Sequence, residues 1–194
     1  MESRKPQLTV LYLQHYRLSD PAISINQDAI SYISKHLRSL ISFYRKDITK
    51  QSPSELIRTL TSIDILLAAT NPALAFAVFL VPRSGVVEVM AENYRSGFYH
   101  RLAVSSDLYY LSHTNFTDTF DPIENCSYSV RDEEIWDREP SCRKAFLMRE
   151  VYVHPITLWM IMTDMAKSVH HNKYHIFQFL VCFNKLNQSC VTNG

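Results

Sequence analysis

Two apolar runs near the end of the chain constrain its folding most strongly. They are Ile156-Thr-Leu-Trp-Met-Ile-Met162 and Tyr174-His-Ile-Phe-Gln-Phe-Leu-Val-Cys-Phe183, separated by a mostly polar stretch that ends in Lys167-Ser-Val-His-His-Asn-Lys173. Both runs are rich in aromatic and β-branched residues, which suit a pleated surface, so the pattern predicts a long antiparallel hairpin. In its first strand Ile156, Leu158, Met160 and Met162 would point one way, and Trp159 and Ile161 the other. In its second strand Ile176, Leu180 and Cys182 would oppose Phe177, Phe179, Val181 and Phe183. Both faces would be apolar and therefore covered, one of them by lining a cavity.

A chain of 194 residues is the size of one domain, or one domain with an arm. Three glycines are too few for a many-turned all-β sandwich, and a net charge of +1 argues against broad electrostatic binding to nucleic acid. The longest apolar run, Pro72 to Val81, is too short to span a bilayer. The first residues lack a signal-type apolar core, so a cytoplasmic protein is expected. Cys126, Cys142, Cys182 and Cys190 include no CxxC pair, so neither a disulfide framework nor a zinc site is expected.

Leu8 to Leu13 forms a short strand or apolar arm. Ser24-Ile-Asn-Gln27 fits a capping box, and a helix is expected from there to about Tyr44, with Ile30, Ile33, Leu37 and Leu40 on one stripe. Ser52-Pro-Ser-Glu55 is a clearer helix start, with a capping serine, a first-turn proline and a returning glutamate. That helix would carry Leu56, Leu60, Ile63 and Leu67, and would end at Asn71-Pro72. Strands are expected at Ala73 to Val81 and Val86 to Met90, and a short helix from Glu92 to about Leu102. Asp107 to Ser112 fits either state. Thr114 to Arg143 is polar, and Ala145 to His154 alternates as a strand. Helices gathered between two sets of strands predict an α+β fold built on a five-stranded antiparallel sheet.

That order resembles the PAS/GAF-type sensory domains. Ser62 to Arg101 is also similar to the ligand-binding part of LuxR-type quorum-sensing regulators, with Asn93-Tyr94-Arg95-Ser-Gly-Phe98 standing where they carry Asn-Tyr-Pro-x-x-Trp. Asp121-Pro122 and Trp136 match a later Asp-Pro and Trp of that family in type. Arg95 and Phe98 depart from its pattern, and its helix-turn-helix is absent. Asn71-Pro72-Ala73 and Ser84-Gly85 are similar to PAS-bearing activators of conjugative plasmids. The resemblance divides the chain into an arm and amphipathic helix (1–50), a PAS/GAF-like domain (51–185) and a polar tail (186–194). It implies a sensory, regulatory domain of a transcriptional regulator that binds a small apolar signal molecule. It also implies a homodimer through the N-terminal helices, with DNA contacted only through a separate domain. Asp121 would accept a hydrogen bond from the ligand, while Tyr94, Phe98, Trp136 and Trp159 would line its pocket. The alternative is a standalone protein–protein adaptor without a ligand.

Other clusters favour ordinary structural roles. His170, His171 and His175 would fall at a hairpin tip and strand, where they do not converge on a metal. Asp132, Glu133, Glu134, Asp137 and Glu139 are interspersed with Arg131, Arg138, Arg143 and Lys144, as on a solvated face. Lys35, Arg38, Arg45, Lys46 and Lys50 read as an exposed basic helix face. Asn125-Cys126 lacks the residues that follow in flavin-binding light sensors, and no cofactor is expected. With no GxSxG, HExxH or glycine-rich phosphate loop, no enzymatic activity is expected.

Overall fold

The computed structural model describes residues 7–17, 20–47, 51–91, 96–114 and 151–184, with the backbone alone at 14–23, 47 and 172–184. Six strands are present among these residues: β1 (Leu8–Arg17), β2 (Asp20–Ile23), β3 (Ile41–Asp47), β4 (Ile65–Ala69), β5 (Gly85–Val89) and β6 (Tyr109–His113). The helices are α1 (Gln27–His36), α2 (Pro53–Leu60), α3 (Phe98–Ser105) and α4 (Pro155–Asn184), with a 3-10 helix at Pro72–Phe79.

The principal sheet runs β3-β1-β4-β5-β6, and all four pairings are parallel. β2 folds back on the end of β1 as a short antiparallel partner, with an irregular register between His15 and Arg17. The expected five-stranded antiparallel α+β sheet is thereby overturned. The physical reason lies in the middle strands. Ile65-Leu-Leu-Ala-Ala69 and Gly85-Val-Val-Glu-Val89 are buried along their whole length. Such runs need an apolar layer on both faces, which parallel crossovers supply.

Two layers do this. On the first face α1 places Ala29, Ile30 and Ile33, and α4 places Leu158, Met162, Met165 and Val169, over Val10, Tyr12, Ile65, Leu67 and Val87. On the second face α2 places Leu56 and Leu60, the 3-10 helix Ala73, Leu74 and Ala77, and α3 Ala103. These pack on Leu11, Leu13, Leu66, Ala68 and Val86. Each fully buried aliphatic side chain contributes roughly 1.5–3 kcal/mol of transfer free energy. The chain steps one way from β1 to β3 across the first face. It steps the other way from β3 to β4, β5 and β6 across the second. All four crossovers therefore share one hand, as the twist of parallel strands demands.

Several local expectations meet the structure directly. Ser52 caps α2 through a capping box with Glu55, and its hydroxyl and amide hold the Glu55 carboxyl below its ordinary value. Val86 to Val89 is a strand, as read. Other boundaries differ. The expected helix from Ser24 to Tyr44 stops at His36 and continues as β3. The expected helix from Ser52 to Asn71 stops at Leu60 and continues as β4. Where a strand is expected from Ala73 to Val81, a 3-10 helix spans Pro72–Phe79, because Asn71 caps it through the Ala73 amide and Pro72 begins it.

The expected closing hairpin is a single helix, α4. Leu158, Met162, Met165 and Val169 are four or three residues apart and fall on its buried stripe. Pro155 begins it, where a missing amide costs nothing. Gly85 accommodates this packing: a Cβ there would lie 2.4 Å from Met165 Sδ and 3.2 Å from Val169 Cγ2.

Candidate functional site

A doubly wound sheet has two unlike edges. At the amino edge the strands begin. The Asp64 carboxylate accepts from the Thr9 amide at 2.7 Å, the Asp64 amide donates to the Thr9 carbonyl, and the Asp64 carbonyl accepts from the Gly85 amide. At the carboxyl edge the chain leaves β1 for the first face, through β2 and α1, and leaves β4 for the second face, through the 3-10 helix. The two exits diverge, and the crevice between them is the place where open parallel sheets take their ligands.

The β4 side of that crevice is the turn Thr70-Asn71-Pro72. Asn71 is buried, donates to the Ala69 carbonyl at 2.6 Å and accepts from the Ala73 amide at 2.8 Å. Thr70 donates its hydroxyl to Glu88 Oε1 at 2.6 Å and its amide to the Val89 carbonyl at 3.0 Å. Glu88 lies on β5, is fully buried, and receives a second bond on Oε2 from the Tyr110 hydroxyl of β6. Burial pushes the Glu88 carboxyl above its ordinary range, against the opposing pull of the Thr70 and Tyr110 hydroxyls. The Tyr110 ring packs against His100 of α3, with centroids 5.2 Å apart. One carboxylate thus ties the turn after β4 to β5 and to the second residue of β6.

The β1 side is built differently. Tyr12 accepts from the Ile25 amide through its hydroxyl at 2.9 Å and packs beside Phe43. Arg45, next to Tyr12 across the β1–β3 pair, lies over the Tyr12 ring at 5.9 Å. Its guanidinium donates to the Gln27 side chain at 2.9 Å, at the first residue of α1. The Asn26 side-chain oxygen, just before α1, accepts from the Val153 amide at 2.9 Å, while the Asn26 backbone N–H donates to the Val151 carbonyl. A helix N-terminus and an arginine therefore meet beside the exit of β1. Amide dipoles and a guanidinium both favour an anionic group.

Of the residues expected to line a ligand pocket, Phe98 and Trp159 fall in different layers. Phe98 begins α3 on the second face and is 50% exposed. Trp159 lies on α4 and packs into the first layer, across the sheet from α3. The sheet face that would have walled an apolar pocket is filled by helices on both sides. Tyr94, Asp121 and Trp136 lie outside the described residues, as do the acidic cluster at 132–139, Cys126, Cys142 and Cys190, and the side chains of Cys182 and His175. His170 and His171 stand on α4, not at a hairpin tip. Among the described residues no three His, Cys, Asp or Glu side chains gather as metal ligands. No helix among them is long and apolar enough to cross a membrane.

Glu88 and Arg45 were the residues that the sequence offered least clearly. The signal for Glu88 was a lone acid inside an apolar strand, Val86-Val-Glu-Val-Met90. Arg45 was read as part of an exposed helical face, whereas it stands on β3. No protein-family model matches the chain, and no curated protein sequence is similar to it.

Proposed function

We propose that this chain is a binding domain for a small phosphate-bearing ligand of the nucleotide class, held at the carboxyl edge between β1 and β4. The observation that carries this reading is the reversal of strand order at β1, with crossovers leaving β1 and β4 on opposite faces. The N-terminus of α1 and the Arg45 guanidinium on Gln27 supply the positive end that a phosphate needs. The Thr70-Asn71 turn forms the opposite wall. This ligand is polar, whereas the sequence suggested an apolar signal molecule. The helices packed on both sheet faces among the described residues favour a polar site at the strand ends. A regulatory role, with occupancy read by a partner, stays a proposal on the same footing.

The test is thermal unfolding of the protein with ADP, GDP, CDP and UDP, followed by titration calorimetry with the tightest of them. A bound nucleotide should raise Tm with concentration, by linkage to the folded state. Hydrogen exchange should then slow at residues 24–30 and 70–74. Arg45→Ala should weaken binding by about tenfold while leaving the unliganded Tm nearly unchanged. Protection confined to the amino edge, or no response to any of the four at millimolar concentration, would overturn the reading.

A further inference from the structure

Glu88 is a costly residue to place where it is. A carboxylate removed from water loses several kcal/mol of hydration, and two neutral hydroxyl donors return only part of that. An apolar residue of similar volume would pack between β4 and β6 with less penalty. A brace made solely for stability therefore has no need of an acid at this position. The hydrogen bonds show what the acid does. Oε1 takes the Thr70 hydroxyl and Oε2 takes the Tyr110 hydroxyl, so the two residues on either side are set by a single planar group. Thr70 directly precedes Asn71, whose side chain spans the turn from the Ala69 carbonyl to the Ala73 amide. The orientation of Thr70 is thus passed to the turn that walls the crevice.

We infer that Glu88 is a positioning residue, which fixes the Thr70-Asn71-Pro72 turn in its ligand-competent form by holding Thr70 against Tyr110. The inference rests on the binding reading above for its consequence, but its structural part stands alone. The acid acts on the ligand only through Thr70. Thr70→Val removes one bond of the pair, and Tyr110→Phe removes the other.

Two readouts separate the inference from that reading. The first is hydrogen exchange of the unliganded protein at the Thr70, Ala73 and Leu74 amides. The second is the affinity for the tightest nucleoside diphosphate of the panel. Glu88→Leu should speed exchange at these three amides and weaken the nucleotide by about tenfold, the equivalent of one good hydrogen bond. Glu88→Gln, which can still bridge two hydroxyls, should restore affinity to within about threefold of wild type. A residue serving stability alone would lower Tm and leave local exchange and affinity where they were. Unchanged exchange and affinity in Glu88→Leu would overturn the inference. Should that variant fail to fold, Thr70→Val takes its place with the same expected direction. Should no nucleotide bind the wild type, the binding reading fails and exchange alone decides: faster exchange supports the positioning role, and unchanged exchange overturns it.

Discussion

The two edges of the sheet are held by different means. At the amino edge the ties are mostly backbone. Asp64 connects β1, β4 and β5 through its amide, its carbonyl and a carboxylate at the start of the strands. Arg83 and Asp107 adopt positive φ values of 68° and 54°, and the Arg83 amide donates to the Asp107 carbonyl at 2.6 Å. At the carboxyl edge backbone ties from Thr70 to Val89 and from Met90 to His113 are joined by side-chain ones: Thr70 and Tyr110 on Glu88, Asn71 within its turn, and Thr114 to the Ala91 carbonyl. Backbone ties tolerate changes of residue type as long as the conformation is allowed. Side-chain ties hold only with specific residues. The amino edge therefore depends more on backbone geometry, and the carboxyl edge more on residue type.

The comparison can be broken by substitution. The largest effect is expected at Gly85, where a side chain has no room beside Met165 and Val169. Gly85→Val should cost roughly 3 kcal/mol, read by chemical denaturation, with nucleotide affinity unchanged once the protein is folded. Asp64→Ala comes next. It leaves the Thr9 amide without its carboxylate at a nearly buried site, and should cost about 2 kcal/mol, again without altering affinity. A loss of affinity in either variant would erase the distinction between the edges.

The third effect is a slope with pH. The Glu88 carboxyl is raised above its ordinary value, chiefly by burial. The folded state then holds the proton more tightly than the unfolded one. The stability due to this group is complete below the unfolded value of 4.5 and is lost as pH rises through the raised folded value. Denaturation of wild type and Glu88→Gln across that window should show the decline in the wild type alone. Parallel curves would mean that Glu88 is hydrated in solution. The smallest effect is expected at Arg83→Gly, which relieves a positive φ and gives up an ion pair to Asp107 that is largely exposed. The change in stability should stay within about 1 kcal/mol of zero.

How much of this was legible in the sequence depended on how many states each segment satisfied. Ser52 to Glu55 satisfied only one, because a capping serine, a first-turn proline and a returning glutamate together make sense only at a helix start. Val86 to Met90 was short, β-branched and bounded by a turn. Ile65 to Ala69 fitted two states. Leu56, Leu60, Ile63 and Leu67 continue a helical stripe through it, and short apolar runs are ambiguous by periodicity. Reading it as helix removed a strand from the count and hid the strand–helix alternation that marks a parallel sheet. The closing run misled for the opposite reason. Trp159, Ile161, Ile176 and Val181 favour strands intrinsically, yet Leu158, Met162, Met165 and Val169 also lie on one helical face, and burial of that face decided the outcome. The site was harder still. Thr70, Glu88 and Tyr110 are separated by 18 and 22 residues in sequence, and only the parallel register brings them together.

α4 has a consequence for the order in which the molecule is made. The second face is covered by helices that follow their strands closely, so among the described residues its layer is complete once residue 108 has emerged. Among the described residues the first face is completed by 151–171, and Asn26 meets Val153 across 127 residues. Until then, among the described residues, α1 is the one helix above Val10, Ile65, Leu67 and Val87. A nascent chain stalled before Pro155 would lack the α4 side chains that cover this face, and the exposed aliphatic surface would be a target for chaperones during synthesis.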